Sequence, residues 1–177
     1  DSEALRGMLD AAASTLAGNV DAINALNVFP VPDGDTGTNM LLTLRAVQER
    51  LATTTPEGLG STAQEVSRGA LLGARGNSGV ILSQFFRGLA RGLDSSDQAG
   101  PEHVGRAFQE GSSGAYTAVS NPVEGTILTV VRESSTAALG VAETGGDLLN
   151  AMYEDAEECV LILGALRTRS GTDVASL

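Results

Sequence analysis

The chain has 177 residues, 42% of them apolar and 19% charged, with a net charge of −11; this is the composition of one globular domain, able to bury roughly 70% of its unfolded surface without a staple. Eleven arginines and no lysine exclude a Walker A P-loop, a Schiff-base lysine and the strand lysine of protein kinases. The acidic balance argues against nucleic acid and anionic membranes as partners and suits divalent cations, while a single cysteine, Cys159, and a single histidine, His103, rule out an internal disulfide and a His/Cys zinc site.

Residues 3–26 read as one long helix, with Leu5, Met8, Leu9, Ala12, Leu16, Val20, Ile23 and Leu26 at helical spacing and Ser2 as its expected N-cap. Residues 27–37 carry two prolines and two glycines and cannot be helical. Helix resumes near Thr38 or Asn39 and runs to about Ala52; another covers about 61–72. Gly73 to Gly79 breaks the pattern, and 79–91 continue it. Residues 92–100 form a polar linker, 102–119 a helix, and Ser120-Asn121-Pro122 a turn. Ile127, Val130 and Val131 form a β-branched run open to a strand reading, but the apolar spacing over 123–138 is helical and no partner strand is visible. A last helix is expected over about 146–166. With no sustained period-2 alternation, the chain reads as all-α with six to eight helices. No apolar run reaches the ~18 residues of a membrane span. The start, Asp1-Ser2-Glu3, has neither an initiator methionine nor a basic leader. It reads as a fragment of a longer multidomain protein, and a cytoplasmic location is expected.

Three glycine-containing loops each precede a helix. In the first, Asp33 and Asp35 flank Gly34. Two adjacent carboxylates repel each other, which favours a divalent cation, and Mg²⁺ takes one or two carboxylates with waters and phosphate oxygens. Thr36, Gly37, Thr38 and Asn39 follow at a helix start, where free backbone N–H groups and hydroxyls suit an anion. The same residues equally suit a plain turn and N-cap. In the second loop, Ser78 and Gly79 open a helix beside Arg75, as a phosphate loop or as an ordinary helix–helix turn. The third, Asn121 to Thr126, reads on its own as a helix start. His103, beside Pro101 and Glu102, reads as the solvated start of a helix rather than a catalytic group.

The strings LNVFPVPDGDTGTNM at 26–40, GARGNSGVILSQ at 73–84 and NPVEGTIL at 121–128 closely resemble the three signatures of the N-terminal, nucleotide-binding domain of bacterial fatty acid kinases, and more distantly the nucleotide-binding L subunit of dihydroxyacetone kinases. The resemblance covers about residues 3–168. It implies a closed barrel of about eight antiparallel helices, with ATP and two Mg²⁺ held in loops at one end, and one ATP- and Mg-binding kinase domain over 1–177. It implies metal binding by Asp33 and Asp35, also the catalytic pair, with Asn27 standing as an amide where relatives place a third acid. Phosphate contacts would come from Thr36, Gly37, Thr38, Asn39, Asn77, Ser78 and Gly79, and nucleotide contacts from Thr126 and Ile127. Relatives close the site with a further Gly-rich, Asp-containing segment; Ala165 to Thr168 fits its approach, but Arg169 to Val174, including Asp173, departs from it. The implied reaction phosphorylates the carboxylate of a fatty acid presented by the separate fatty-acid-binding carrier subunit of a fatty acid kinase, with a homodimer formed through other domains. Since a carboxylate is already ionised at neutral pH, no general base is required. The alternatives are a glycerone-type kinase subunit and a non-catalytic ATP- or lipid-binding module.

Overall fold

A computed structural model describes residues 1–27, 32–94 and 97–144. They form six helices: α1 (Ser2–Leu26), α2 (Thr36–Thr53), α3 (Leu59–Gly73), α4 (Gly76–Gly92), α5 (Pro101–Thr117) and α6 (Ile127–Thr144). No strand occurs among the described residues, so the β-branched run of 127–131 is helical. The expected helix over 146–166, the segment from Ala165 through Asp173, and Cys159 lie outside the described residues.

Each helix follows from its sequence. In α1, Leu5, Leu9, Ala13 and Leu16 are buried at helical spacing. Its N-cap is Asp1, whose carboxylate accepts from the Ala4 N–H at 2.9 Å, rather than Ser2. The Ser2 hydroxyl instead meets the Thr62 hydroxyl of α3 at 2.9 Å. The core continues through Leu44, Val47 and Leu51 of α2 and Ala63, Val66 and Ala70 of α3. Val47 and Val66 are fully buried, each contributing about 1.5–3 kcal/mol of apolar burial.

Successive helices run antiparallel. Arg6 at the start of α1 donates to the Leu51 carbonyl at the end of α2 at 3.0 Å. Gly73, at the end of α3, sits against Ala46 near the middle of α2. Arg50 and Glu65 pair at 2.5 Å between α2 and α3, with Arg68 on the other carboxylate oxygen. Small residues let α4 and α5 approach to backbone contact: a Cβ on Gly92 would lie 2.4 Å from the Ala107 Cα. Phe85 meets Phe108 edge-on across the same seam, ring centroids 5.5 Å apart. The Ser135 hydroxyl donates to the Phe108 carbonyl at 3.0 Å and fixes α6 on α5.

This up-and-down order puts the turns α1–α2, α3–α4 and α5–α6 at one end of the bundle and the turns α2–α3 and α4–α5 at the other. The break expected over Gly73 to Gly79 shrinks to Ala74 and Arg75, because Gly76, Asn77 and Ser78 are already the first turn of α4. Likewise α6 starts at Ile127 rather than at 123.

Candidate functional site

The α1–α2 turn begins at Asn27, whose side-chain nitrogen donates to Asp33 Oδ1 at 2.5 Å. As an oxygen ligand, Asn27 would have to turn its amide over. Gly34 holds φ +66°, a left-handed conformation that a side chain disfavours, so Asp33 and Asp35 flank a tight bend. Asp33 is exposed and Asp35 half-buried.

The first turn of α2 differs from the expectation of open amides. Asn24, in the last turn of α1, accepts from the Gly37 N–H at 2.8 Å and the Thr38 N–H at 3.2 Å through one oxygen. Its nitrogen donates to the Thr38 hydroxyl at 3.0 Å. The Asn39 N–H begins the helix ladder on the Asp35 carbonyl at 2.8 Å. Of these four donors only the Thr36 N–H has no acceptor among the described residues. Asp35 is the N-cap residue, but with φ −117° and ψ 2° its side chain makes no capping hydrogen bond.

The α3–α4 turn packs directly onto this corner. Gly76 has φ +56°, and a Cβ there would lie 2.3 Å from Asn39 Nδ2. The buried Ser78 hydroxyl donates to the Thr36 carbonyl at 3.4 Å. The Arg75 N–H donates to the Thr43 hydroxyl at 3.3 Å, which in turn donates to the Asn39 carbonyl at 2.8 Å. No side chain caps α4, and the N–H groups of Gly76, Asn77 and Ser78 have no acceptor among the described residues. The Gly79 N–H is not free, because it donates to the Arg75 carbonyl at 2.9 Å. The missing side chain at Gly79 makes room for Thr43, whose hydroxyl would lie 2.5 Å from an added Cβ.

Thr126 and Ile127 lie at the same end by topology, but among the described residues no hydrogen bond joins them to the other two loops. The Thr126 hydroxyl donates to the Val123 carbonyl at 2.8 Å and accepts from the Leu128 N–H at 3.3 Å, capping α6. Glu124 accepts from the Thr129 hydroxyl at 2.7 Å and from the Tyr116 hydroxyl at 3.0 Å, and pairs with Arg132 at 2.6 Å. These donors, the Thr129 hydroxyl first, hold its carboxyl below the usual range. Burial, then the adjacent Glu124, pushes Tyr116 up.

His103 is exposed in the first turn of α5, at the far end of the bundle. A cavity of about 670 Å³, lined by Pro56, Glu57, Gln64 and Asp97 among others, also opens at that far end and holds none of the expected site residues. No group of three or more His, Cys, Asp or Glu side chains suited to a metal occurs among the described residues. Sequence reasoning missed Asn24, Thr43 and Gly76, because each acts through an approach between helices rather than through a local pattern.

Comparison with known proteins places the chain in a family. The model of the DAK2 domain matches residues 30–166. An uncharacterized protein of Staphylococcus haemolyticus (strain JCSC1435) and another of Staphylococcus aureus (strain USA300) are each 43% identical over 145 residues, which is 82% of this chain and 26% of theirs. The chain thus spans about a quarter of the length of these curated relatives. No described helix is long and apolar enough to cross a membrane. By the match over most of its length, the chain belongs to the DAK2 domain family, a kinase-related family of dihydroxyacetone kinase L-subunit-like domains.

Proposed function

We propose that this chain is the ATP-binding kinase domain of a fatty acid kinase, transferring the γ-phosphoryl group of ATP to the carboxylate of a carrier-bound fatty acid. The observation that carries the reading is the meeting of two loops at one corner. Gly76 lies on Asn39 and Ser78 on Thr36, so the Asp33–Asp35 turn adjoins three unaccepted N–H groups at the start of α4. Carboxylates next to helix-start amides are what a metal-bound polyphosphate asks for.

In this reading the N–H groups of Gly76, Asn77 and Ser78, with that of Thr36, hold phosphate oxygens. Asn77 is exposed and adds an amide side chain at the same edge, and the Thr36 and Asn39 side chains border it. Asp33 and Asp35 would hold the expected pair of Mg²⁺ ions, whose charge offsets that of the phosphates. The donor set fits, because Asp35 spends neither carboxylate oxygen on capping its helix. Thr126 and Ile127 would border the nucleotide from the third loop. Transfer breaks the bond from the γ-phosphorus to the bridging oxygen, forms one to a carboxylate oxygen of the acceptor, and releases ADP and an acyl-phosphate. Positioning and charge neutralisation dominate such a reaction. An acceptor that is already an anion needs no base, which suits a chain with no lysine and with its histidine at the far end.

The test is a product assay on the full-length protein with ATP and Mg²⁺, comparing fatty acid plus its carrier protein against dihydroxyacetone and glycerol. Acyl-phosphate formation is expected, unchanged in His103→Ala. Robust transfer to a free polyol would replace this reading with a glycerone-type kinase. Nucleotide binding without turnover on any acceptor would leave a non-catalytic module.

A further inference from the structure

We infer that Asn24 is a positioning residue that takes over the capping of α2 so that the Asp35 carboxylate stays free for a divalent cation. This rests on the metal-nucleotide reading above. An aspartate at a helix start ordinarily caps its own helix. From an extended backbone its carboxylate turns back and accepts from the second or third N–H of that helix. Asp35 occupies the N-cap position of α2 but sits at φ −117°, ψ 2°, in the sparsely populated bridge region, and its side chain accepts nothing among the described residues.

The donors it would have used are those of Gly37 and Thr38, and Asn24 accepts from both through Oδ1. The Asn24 nitrogen is spent on the Thr38 hydroxyl, which fixes the direction of the amide: oxygen toward the helix start, nitrogen toward the threonine. Gly37 makes the approach possible, since a Cβ there would lie 2.8 Å from the Val20 carbonyl oxygen and 3.1 Å from Asn24 Oδ1. The cap therefore comes from the neighbouring helix, through an uncharged oxygen. The partial positive end of α2 is satisfied without drawing in either carboxylate of the turn. Three residues further on, Asn27 ties Asp33 at 2.5 Å, so both aspartates are referenced to the last turn of α1.

A neutral cap also has the right sign for the site. Carboxylates drawn onto helix N–H groups lose lone pairs and part of their charge to those donors, and become weaker ligands. With Asn24 as the cap, both Asp35 oxygens remain acceptor-only groups beside the start of α4.

The test uses the full-length protein and two measurements. In the first, ADP affinity is titrated with and without Mg²⁺. Asn24→Ala is expected to weaken the Mg²⁺-dependent affinity at least tenfold, as Asp35 turns onto the vacated N–H groups, and to leave the Mg²⁺-independent affinity unchanged. Asn24→Asp, which keeps the acceptor for both N–H groups, is expected to stay within about threefold of wild type. In the second, hydrogen exchange is followed by mass spectrometry in the peptide spanning residues 36–40, with no nucleotide present. Protection is expected to persist in Asn24→Ala and in Asp35→Ala, because either side chain can cap, and to be lost in the double variant. Wild-type Mg²⁺-dependent affinity in Asn24→Ala, or loss of protection in Asn24→Ala alone, overturns the inference. A wild-type protein that binds no nucleotide overturns the kinase reading instead, and the exchange measurement then decides the capping role by itself.

Discussion

Replacing Gly76 with alanine puts the geometry of the site corner under direct test. Two costs arise. The backbone at φ +56° is left-handed, which costs a residue with a Cβ about 1–2 kcal/mol. The new methyl would also stand 2.3 Å from Asn39 Nδ2, so that side chain must leave its rotamer, at about 0.5–1.5 kcal/mol. Against these stands the smaller freedom of alanine in the unfolded chain, about 0.4–1 kcal/mol. The net expectation is a destabilisation of about 1–2 kcal/mol. Gly7→Ala is the matched control: it lies in α1, with nothing within 4 Å of an added Cβ. It should stabilise by about 0.5–1 kcal/mol, as alanine for glycine in a helix interior does. Denaturant midpoints at constant slope give both values. In nucleotide titrations, Gly76→Ala should also bind more weakly than Gly7→Ala, because it displaces the start of α4. A Gly76→Ala protein as stable as wild type, or more so, would refute the close approach of Gly76 to Asn39 and with it the corner described here.

Asp33→Ala and Asp35→Ala should each abolish phosphoryl transfer while circular dichroism stays unchanged, since neither side chain packs in the core; full activity in both would sink the metal assignment. Ser78→Ala should cost at most about 1 kcal/mol of nucleotide binding, because in the proposed site the phosphate would be met by the backbone N–H, and the hydroxyl makes one long bond, to the Thr36 carbonyl. Gly79→Val should cost far more, through the clash with Thr43, and should lower the denaturation midpoint as well; the reverse order would refute the packing. Glu65 is held below its ordinary value of 4.5, chiefly by its hydrogen bond to Arg50. The stability it lends is present above that value and is lost as pH falls through the lowered one. A series of denaturation midpoints against pH should therefore show an acid limb that is shallower in Glu65→Gln; an identical limb would dismiss the Arg50–Glu65 pair as a source of acid sensitivity.

The helices were legible because their apolar residues repeat with the helical period, and α1 through α5 lie within a few residues of their expected bounds. The errors have physical causes. Glycine and asparagine at 76 and 77 read as a break, yet Gly76 enters α4 with its positive φ and the helix runs on behind it. The helical reading of Ile127, Val130 and Val131 is no error: their strand preference yields to the helical spacing of the apolar residues and to packing on α5, where Ser135 is bonded to Phe108. In the site, the carboxylates and the helix starts were readable as residue types. Which helix start is already capped was not: Asn24 lies thirteen residues from Gly37, and only the approach of α1 to α2 makes them partners. The same holds for Gly79, whose need to be small comes from Thr43 on another helix.

The alternation of chain direction separates the two ends of the bundle in what they tolerate. Ala74 and Arg75 are all that connects α3 to α4, and the Arg75 N–H is tied to Thr43, so foreign sequence spliced there would drag the start of α4 off Asn39. At the far end, Thr55 and Glu57 are exposed in the α2–α3 turn, and Asp97, Gln98 and Gly100 in the α4–α5 connection. Lengthening a loop costs only about 0.6 kcal/mol per doubling, and exposed polar tips are where insertions and new termini succeed. A reporter, an epitope or a circularly permuted break grafted at Thr55 would thus sit a full helix length from the carboxylates, leaving that turn open to engineering while the corner beside Asn24 stays untouched.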